Sequence, residues 1–143
     1  MSSSTRIRPG LILGGWHFRY RQEAVNAGAD VIKVIVDTGV KENYTAVLGE
    51  EVMRAIVEEA HSSRVKVAAH AILNAAIKAA ANAGVDSIEH AYFISDENLR
   101  LMRDKGIYLV PTVSERPTAF YIDRLQRAMK LGVKIASDRT RTR

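Results

Sequence analysis

The chain contains no cysteine, only three prolines, one tryptophan and three phenylalanines among its 143 residues. The lack of cysteine excludes disulfides, thiol nucleophiles and cysteine-type zinc clusters. No apolar run approaches the ~18 residues that a membrane span requires. The opening MSSSTRIRPG lacks the apolar segment of a secretory signal. These absences lead to the expectation of a cytoplasmic protein with no membrane partner. Three catalytic signatures are missing too: a phosphate-cradling glycine loop, a Gly-x-Ser-x-Gly elbow and a His-Glu-x-x-His pair.

The formal charge of +5 suggests nucleic acid, but its distribution argues otherwise. Arg6, Arg8, Arg19 and Arg21 precede the first acidic residue, Glu23, and Arg139, Arg141 and Arg143 close the chain. Between these ends acidic residues outnumber basic ones, so no basic face tracks a phosphate backbone. We expect no nucleic-acid partner.

One pattern recurs along the body. A helical stretch ends in glycine or serine, and a short β-branched run follows that closes on a polar residue. It appears in AGADVIKV (27–34), SSRVKVAAH (62–70), AGVDSIEH (83–90), DKGIYLVPT (104–112) and KLGVKIASD (130–138). Gly28, Gly84, Gly106 and Gly132 stand where helices end in a left-handed residue. The runs VIKVIV, VKVAAH, SIEH, IYLV and VKIAS read as strands buried on both faces.

The intervening segments read as helices. Residues 50–62 set Val52, Met53, Ile56, Val57 and Ala60 on one face, and 72–83 carry a polar stripe of Asn74, Lys78 and Asn82. Residues 95–105 open on Ser95 as an N-cap, and 118–131 offer Ile122, Leu125 and Met129 as an inner face. Residues 17–27 also read as helical, while 1–16 form a poorly defined N-terminal segment and 139–143 a basic tail. Alternating strands and helices predict a single α/β domain over 1–143 with a parallel sheet. A complete eight-unit barrel takes about 250 residues. The chain is therefore expected to be an open doubly wound domain, a fragment, or a partial barrel completed by another chain.

Lys33 sits inside a strand that otherwise reads as buried, so its ammonium needs a partner, a neutral form or a modification. His70 and His90 each close a strand, and strand C-termini of a parallel β/α protein share one face. Two imidazoles there could share one metal ion. Asp138 closes the last run and could bind metal or act as a general base; its bland alternative is a turn or cap. His61 falls on the far side of the domain, and Glu89, preceding His90, is expected on the opposite face of its strand. Asp30 and Asp86, at strand beginnings, read as turn chemistry, and His17 has no matching ligand pattern.

GADVIKV, EEAH, VKVAAHA, AGVDSIEHAYFISDENLRLMRDKGIYLVPTV and LGVKIASD together resemble the metal-dependent amidohydrolase superfamily. The nearest branch holds imidazolonepropionase-like enzymes and Xaa-Pro or Xaa-Arg dipeptidases. The likeness runs from about Ala27 to Asp138. It implies a TIM-type (β/α) barrel, of which this chain holds about five strands, four to eight of the parent. It also implies one or two divalent metals, usually zinc, with at most one here. Lys33 matches the carbamylated strand-four lysine, His70 and His90 the ligands of strands five and six, and Asp138 the strand-eight aspartate that binds metal and takes a proton from water. The implied reaction is hydrolysis of an amide, cyclic amide or dipeptide bond by metal-activated water.

The departures are specific. The His-x-His pair and the first three strands are absent, and Ala71-Ile72-Leu73-Asn74 follows His70 where a glycine is usual. One metal site keeps only half its ligands, while the other, built from Lys33, His70 and His90, is retained. The rival expectation is a catalytically inactive barrel fragment. It would self-associate through open strand edges as a homo-oligomer or with a complementing chain.

Overall fold

The computed structural model describes residues 12–13, 28–38, 48–112 and 119–136. Five parallel strands form one sheet: β1 (Ile12–Leu13), β2 (Val31–Ile35), β3 (Lys66–Ala71), β4 (Ser87–His90) and β5 (Tyr108–Val110). Among the described residues four helices connect or follow them: α1 (Glu50–Ser62), α2 (Asn74–Ala83), α3 (Asp96–Lys105) and α4 (Ala119–Lys130). Strand order follows chain order without reversal. Right-handed crossovers then set every connecting helix on the same face, which is barrel geometry. The doubly wound alternative requires a reversal and is excluded.

The five strands are not the five expected from sequence. Ile12–Leu13 pairs with Lys33 and Val34 and adds a strand before β2. Of the last expected run, VKIAS, the described residues 133–136 contribute an isolated parallel bridge from Ile135 to Leu109, held by Leu109 N–H to the Lys134 carbonyl (2.8 Å) and Ala136 N–H to the Leu109 carbonyl (2.9 Å).

The core lies between the sheet and its helices. Ile32, Val34, Val67, Ala69, Ile88 and Leu109 are fully buried on the helix side, with Met53, Ala60, Ile77, Ala80, Leu99 and Met102 against them. Val52, expected inside, is exposed, because α1 buries only the narrower row Met53, Ile56, Val57 and Ala60. Helix α2 ends on Gly84 at φ 87°, whose N–H reaches the Ala80 and Ala81 carbonyls. Ser95 caps α3 by accepting from Asn98 N–H (3.2 Å).

Helix α4 faces the other way from its sequence pattern. It buries Arg124 and Ala128 and leaves Leu125 half-buried, while Ile122 and Met129 are exposed. Two contacts orient it. Arg127 binds Asp96 (2.6 Å) and the Ile94 carbonyl (3.0 Å), and the Arg124 guanidinium lies over the rings of Tyr92 (4.9 Å) and Tyr121 (5.2 Å).

Candidate active site

Residue alternation decides what faces the uncovered side of the sheet. In β2, Val31, Lys33 and Ile35 are half-buried while Ile32 and Val34 are fully buried. The register pairs Lys33 with Ala68, Ile35 with His70, and His70 with Glu89. Paired residues of neighbouring strands present their side chains on one face. Lys33, His70 and Glu89 therefore share the uncovered face, and Lys33 forms an ion pair with Glu89. This corrects the sequence expectation, which set Glu89 on the opposite side from the site. The partner that a lysine in this strand requires is Glu89.

Simple alternation would turn His90 away. The backbone instead enters the left-handed region at His90 (φ 69°) and Ala91 (φ 47°), which few non-glycine residues adopt. The turn brings the His90 ring edge-on to that of His70, with centroids 4.5 Å apart. His90 Nδ1 hydrogen-bonds the Thr112 hydroxyl beyond the end of β5. Tyr92 lies next, its ring 5.8 Å from that of His90.

Burial makes both imidazoles reluctant to take a proton. It pulls His90 down to about 4, with the neighbouring His70, Lys33 and Arg124 adding to the effect. It also lowers His70, helped by Lys33 and opposed by Asp37. Two neutral imidazoles are the protonation state that metal ligation requires.

Asp37 was not singled out from the sequence. It is fully buried, and its carboxylate accepts from Ile72 N–H (2.9 and 3.1 Å) and Leu73 N–H (2.7 Å), while Oδ1 lies 3.8 Å from His70 Nε2. Val36 N–H donates to the His70 carbonyl (2.9 Å). The end of β2 thus grips the chain at His70 and just after it. Asp37 thereby satisfies the amides of Ile72 and of Leu73, the N-cap residue of α2.

The expected site residues divide accordingly. Lys33, His70 and His90 lie together at the strand ends, with Glu89, Asp37 and Thr112 added to them. Asp138 and His17 lie outside the described residues, as do the expected helix 17–27 and the tail. His61 and Asp86 are at the opposite end of the sheet, as expected. Among the described residues no three His, Cys, Asp or Glu side chains gather into a coordination set.

The chain matches the Amidohydrolase family over residues 17–140. It belongs to that family. Among curated relatives, the ochratoxinase of Aspergillus niger is 39% identical over 95 residues, covering 63% of this chain and 20% of the enzyme. An uncharacterised protein of Mycobacterium tuberculosis is 36% identical over 64 residues, covering 45% of this chain and 17% of its own length. Among solved structures, a Xaa-Pro dipeptidase with methionine bound in its active site superposes with TM-score 0.70 at 30% identity, over 81% of this chain and 35% of the dipeptidase. This amidohydrolase chain thus spans about a fifth of the curated relatives it matches and about a third of the solved ones. Its sheet and helices are a section of their barrel.

Proposed function

We propose that this amidohydrolase segment carries half of a hydrolytic centre for the C–N bond of a small amide, cyclic amide or dipeptide. The observation that carries the reading is the contact of His70 with His90. It joins two neutral imidazoles at the strand ends and is reached only through left-handed backbone. Such backbone persists where the surroundings over-determine it, and it concentrates at functional sites.

The donor chemistry fits a divalent cation, with zinc the first candidate. His70 and His90 would hold it, and Lys33 would join them as its carbamate, exchanging an ammonium for an anionic oxygen donor. When bound, the ion would polarise the amide carbonyl and make water more acidic. Thr112 fixes the His90 ring through Nδ1 and leaves Nε2 for a ligand. Asp37 holds the turn after His70 and so fixes where that ring stands. Glu89 balances the Lys33 charge in the ion-paired state. Asp138 is the proton acceptor in this reading. The dipeptidase and ochratoxinase among the relatives support a C–N substrate. No described helix is long and apolar enough to cross a membrane, and a cytoplasmic place of action completes the reading.

A second reading is favoured by one set of observations. At the end of the sheet where the strands begin, a 610 Å³ cavity is lined by residues that include Val31, Asp86, Ser87, Tyr108 and Val110, and α4 turns Ile122 and Met129 outward. An inactive segment that buries these surfaces in a homo-oligomer or against a complementing chain would explain them. Incubation with zinc, bicarbonate and a panel of N-acyl amino acids and dipeptides separates the two. Release of free amine by wild type and not by His70→Ala supports the hydrolytic reading. A zinc-free assembly with no turnover supports the second.

A further inference from the structure

Arg124 is 1% exposed, and its Nε, Nη1 and Nη2 atoms meet no hydrogen-bond acceptor among the described residues. A buried guanidinium without an acceptor is costly, and folded proteins seldom keep such a group unless something meets it. The faces of Tyr92 and Tyr121 favour the cation electrostatically, but a ring face offers no oxygen to N–H groups that point outward in the guanidinium plane. Nearby carboxylates are engaged elsewhere, for Asp96 and Asp123 both pair with Arg127. The planar fork suits a carboxylate, which it can bind through two parallel hydrogen bonds.

The position is as informative as the missing acceptor. Tyr92 bridges the two groups, with Arg124 4.9 Å from its ring centre and the His90 ring 5.8 Å away. We propose that Arg124, flanked by Tyr92 and Tyr121, anchors a substrate carboxylate beside the His70–His90 pair. The scissile amide would then be that of an amino acid or another carboxylate-bearing amine. In an N-acyl amino acid the carboxylate carbon is two bonds from the scissile nitrogen, so one short molecule reaches both groups. The inference rests on reading the strand ends as a hydrolytic centre, and it selects among amides, cyclic amides and dipeptides.

The test is a binding measurement that requires neither metal nor turnover. Titrate metal-free protein with N-acetyl-L-leucine and with its primary amide, following chemical shifts or heat. The wild type is expected to bind the acid at least about ten-fold more tightly than the amide, a ratio within reach of one charge-assisted pair. Arg124→Met should remove the difference, and Arg124→Lys, which keeps the charge without the fork, should narrow it. If the Met variant does not fold, the Lys variant and the wild-type acid–amide comparison decide. Equal binding of acid and amide by wild type, no binding of the acid at millimolar concentration, or a difference unchanged in the variants overturns the proposal. A failure of zinc binding at His70 and His90 would leave this result intact, so the two readings fail separately.

Discussion

The two ends of the sheet are built from the same residue types and behave in opposite ways. At the lower end, where the strands begin, Asp86 accepts from Val67 N–H (2.8 Å), binds Lys66 (2.7 Å) and contacts His61 Nε2 (2.8 Å). Partial burial alone would raise the Asp86 pKa, but hydrogen bonds from Lys66, His61 and the Val67 amide outweigh it and hold the carboxyl below its usual range. Asp86, Lys66 and His61 are thus partners of one another, and Lys66 and His61 are exposed. At the upper end the histidines are driven neutral, the backbone is left-handed at His90 and Ala91, and Arg124 has no acceptor among the described residues. A closed set of ion pairs stabilises, whereas groups held in unfavourable states mark a place prepared for something else.

Asp37 offers the most forceful way to break this contrast. It belongs to the upper end yet is fully satisfied, and its removal strands two backbone donors in the core. Asp37→Ala is expected to cost on the order of 3–5 kcal/mol in urea unfolding, and Asp37→Asn clearly less. At the lower end Asp86→Asn should cost about 1–2 kcal/mol, because Val67 N–H keeps an acceptor while the pairs to Lys66 and His61 weaken. His61→Ala, an exposed partner, should cost about 0.5 kcal/mol. If His61→Ala matched Asp37→Ala, the lower end would not be the closed set described.

Acid sharpens the comparison further, because the two ends respond in different windows. His90 titrates near 6.5 when unfolded and near 4 when folded. Between those values the unfolded chain binds the extra proton, so the metal-free protein loses stability as pH falls through that range. Asp86 is shifted the opposite way in charge terms. Its contribution is complete above its unfolded value of 3.8 and is lost only below that, as pH falls through the depressed folded value. Melting temperatures from pH 7 to pH 3 should therefore fall in two stages. His90→Gln should shrink the first stage, leaving the part that belongs to His70, and Asp86→Asn should remove the second.

Much of this was legible in the sequence. Apolar periodicity and glycine punctuation located α1 to α3 and β2 to β5, and Ser95 and Gly84 cap helices as expected. Lys33, His70 and His90 could be grouped because strand ends in a parallel fold share a face. The failures have physical causes. Glu89 was assigned to the wrong side because alternation holds only until φ changes sign, and Ala91 gives no warning of a left-handed residue. Asp37 carries no sequence signal, because its role depends on amides 35 and 36 residues away. In α4 the face turns toward Arg124 and Ala128, where the cation–ring contact with Tyr92 holds it, so that of the apolar row only Leu125 is half-buried. Ile12–Leu13 is too short for any period to show.

Metal content tests the central claim most directly. Protein purified with zinc and bicarbonate would be measured by elemental analysis beside the His70→Ala/His90→Ala double variant. The account predicts close to one zinc per wild-type chain and none in the variant. Zinc absent from both, or present equally in both, would contradict it and leave the strand-end histidines without a ligand to hold.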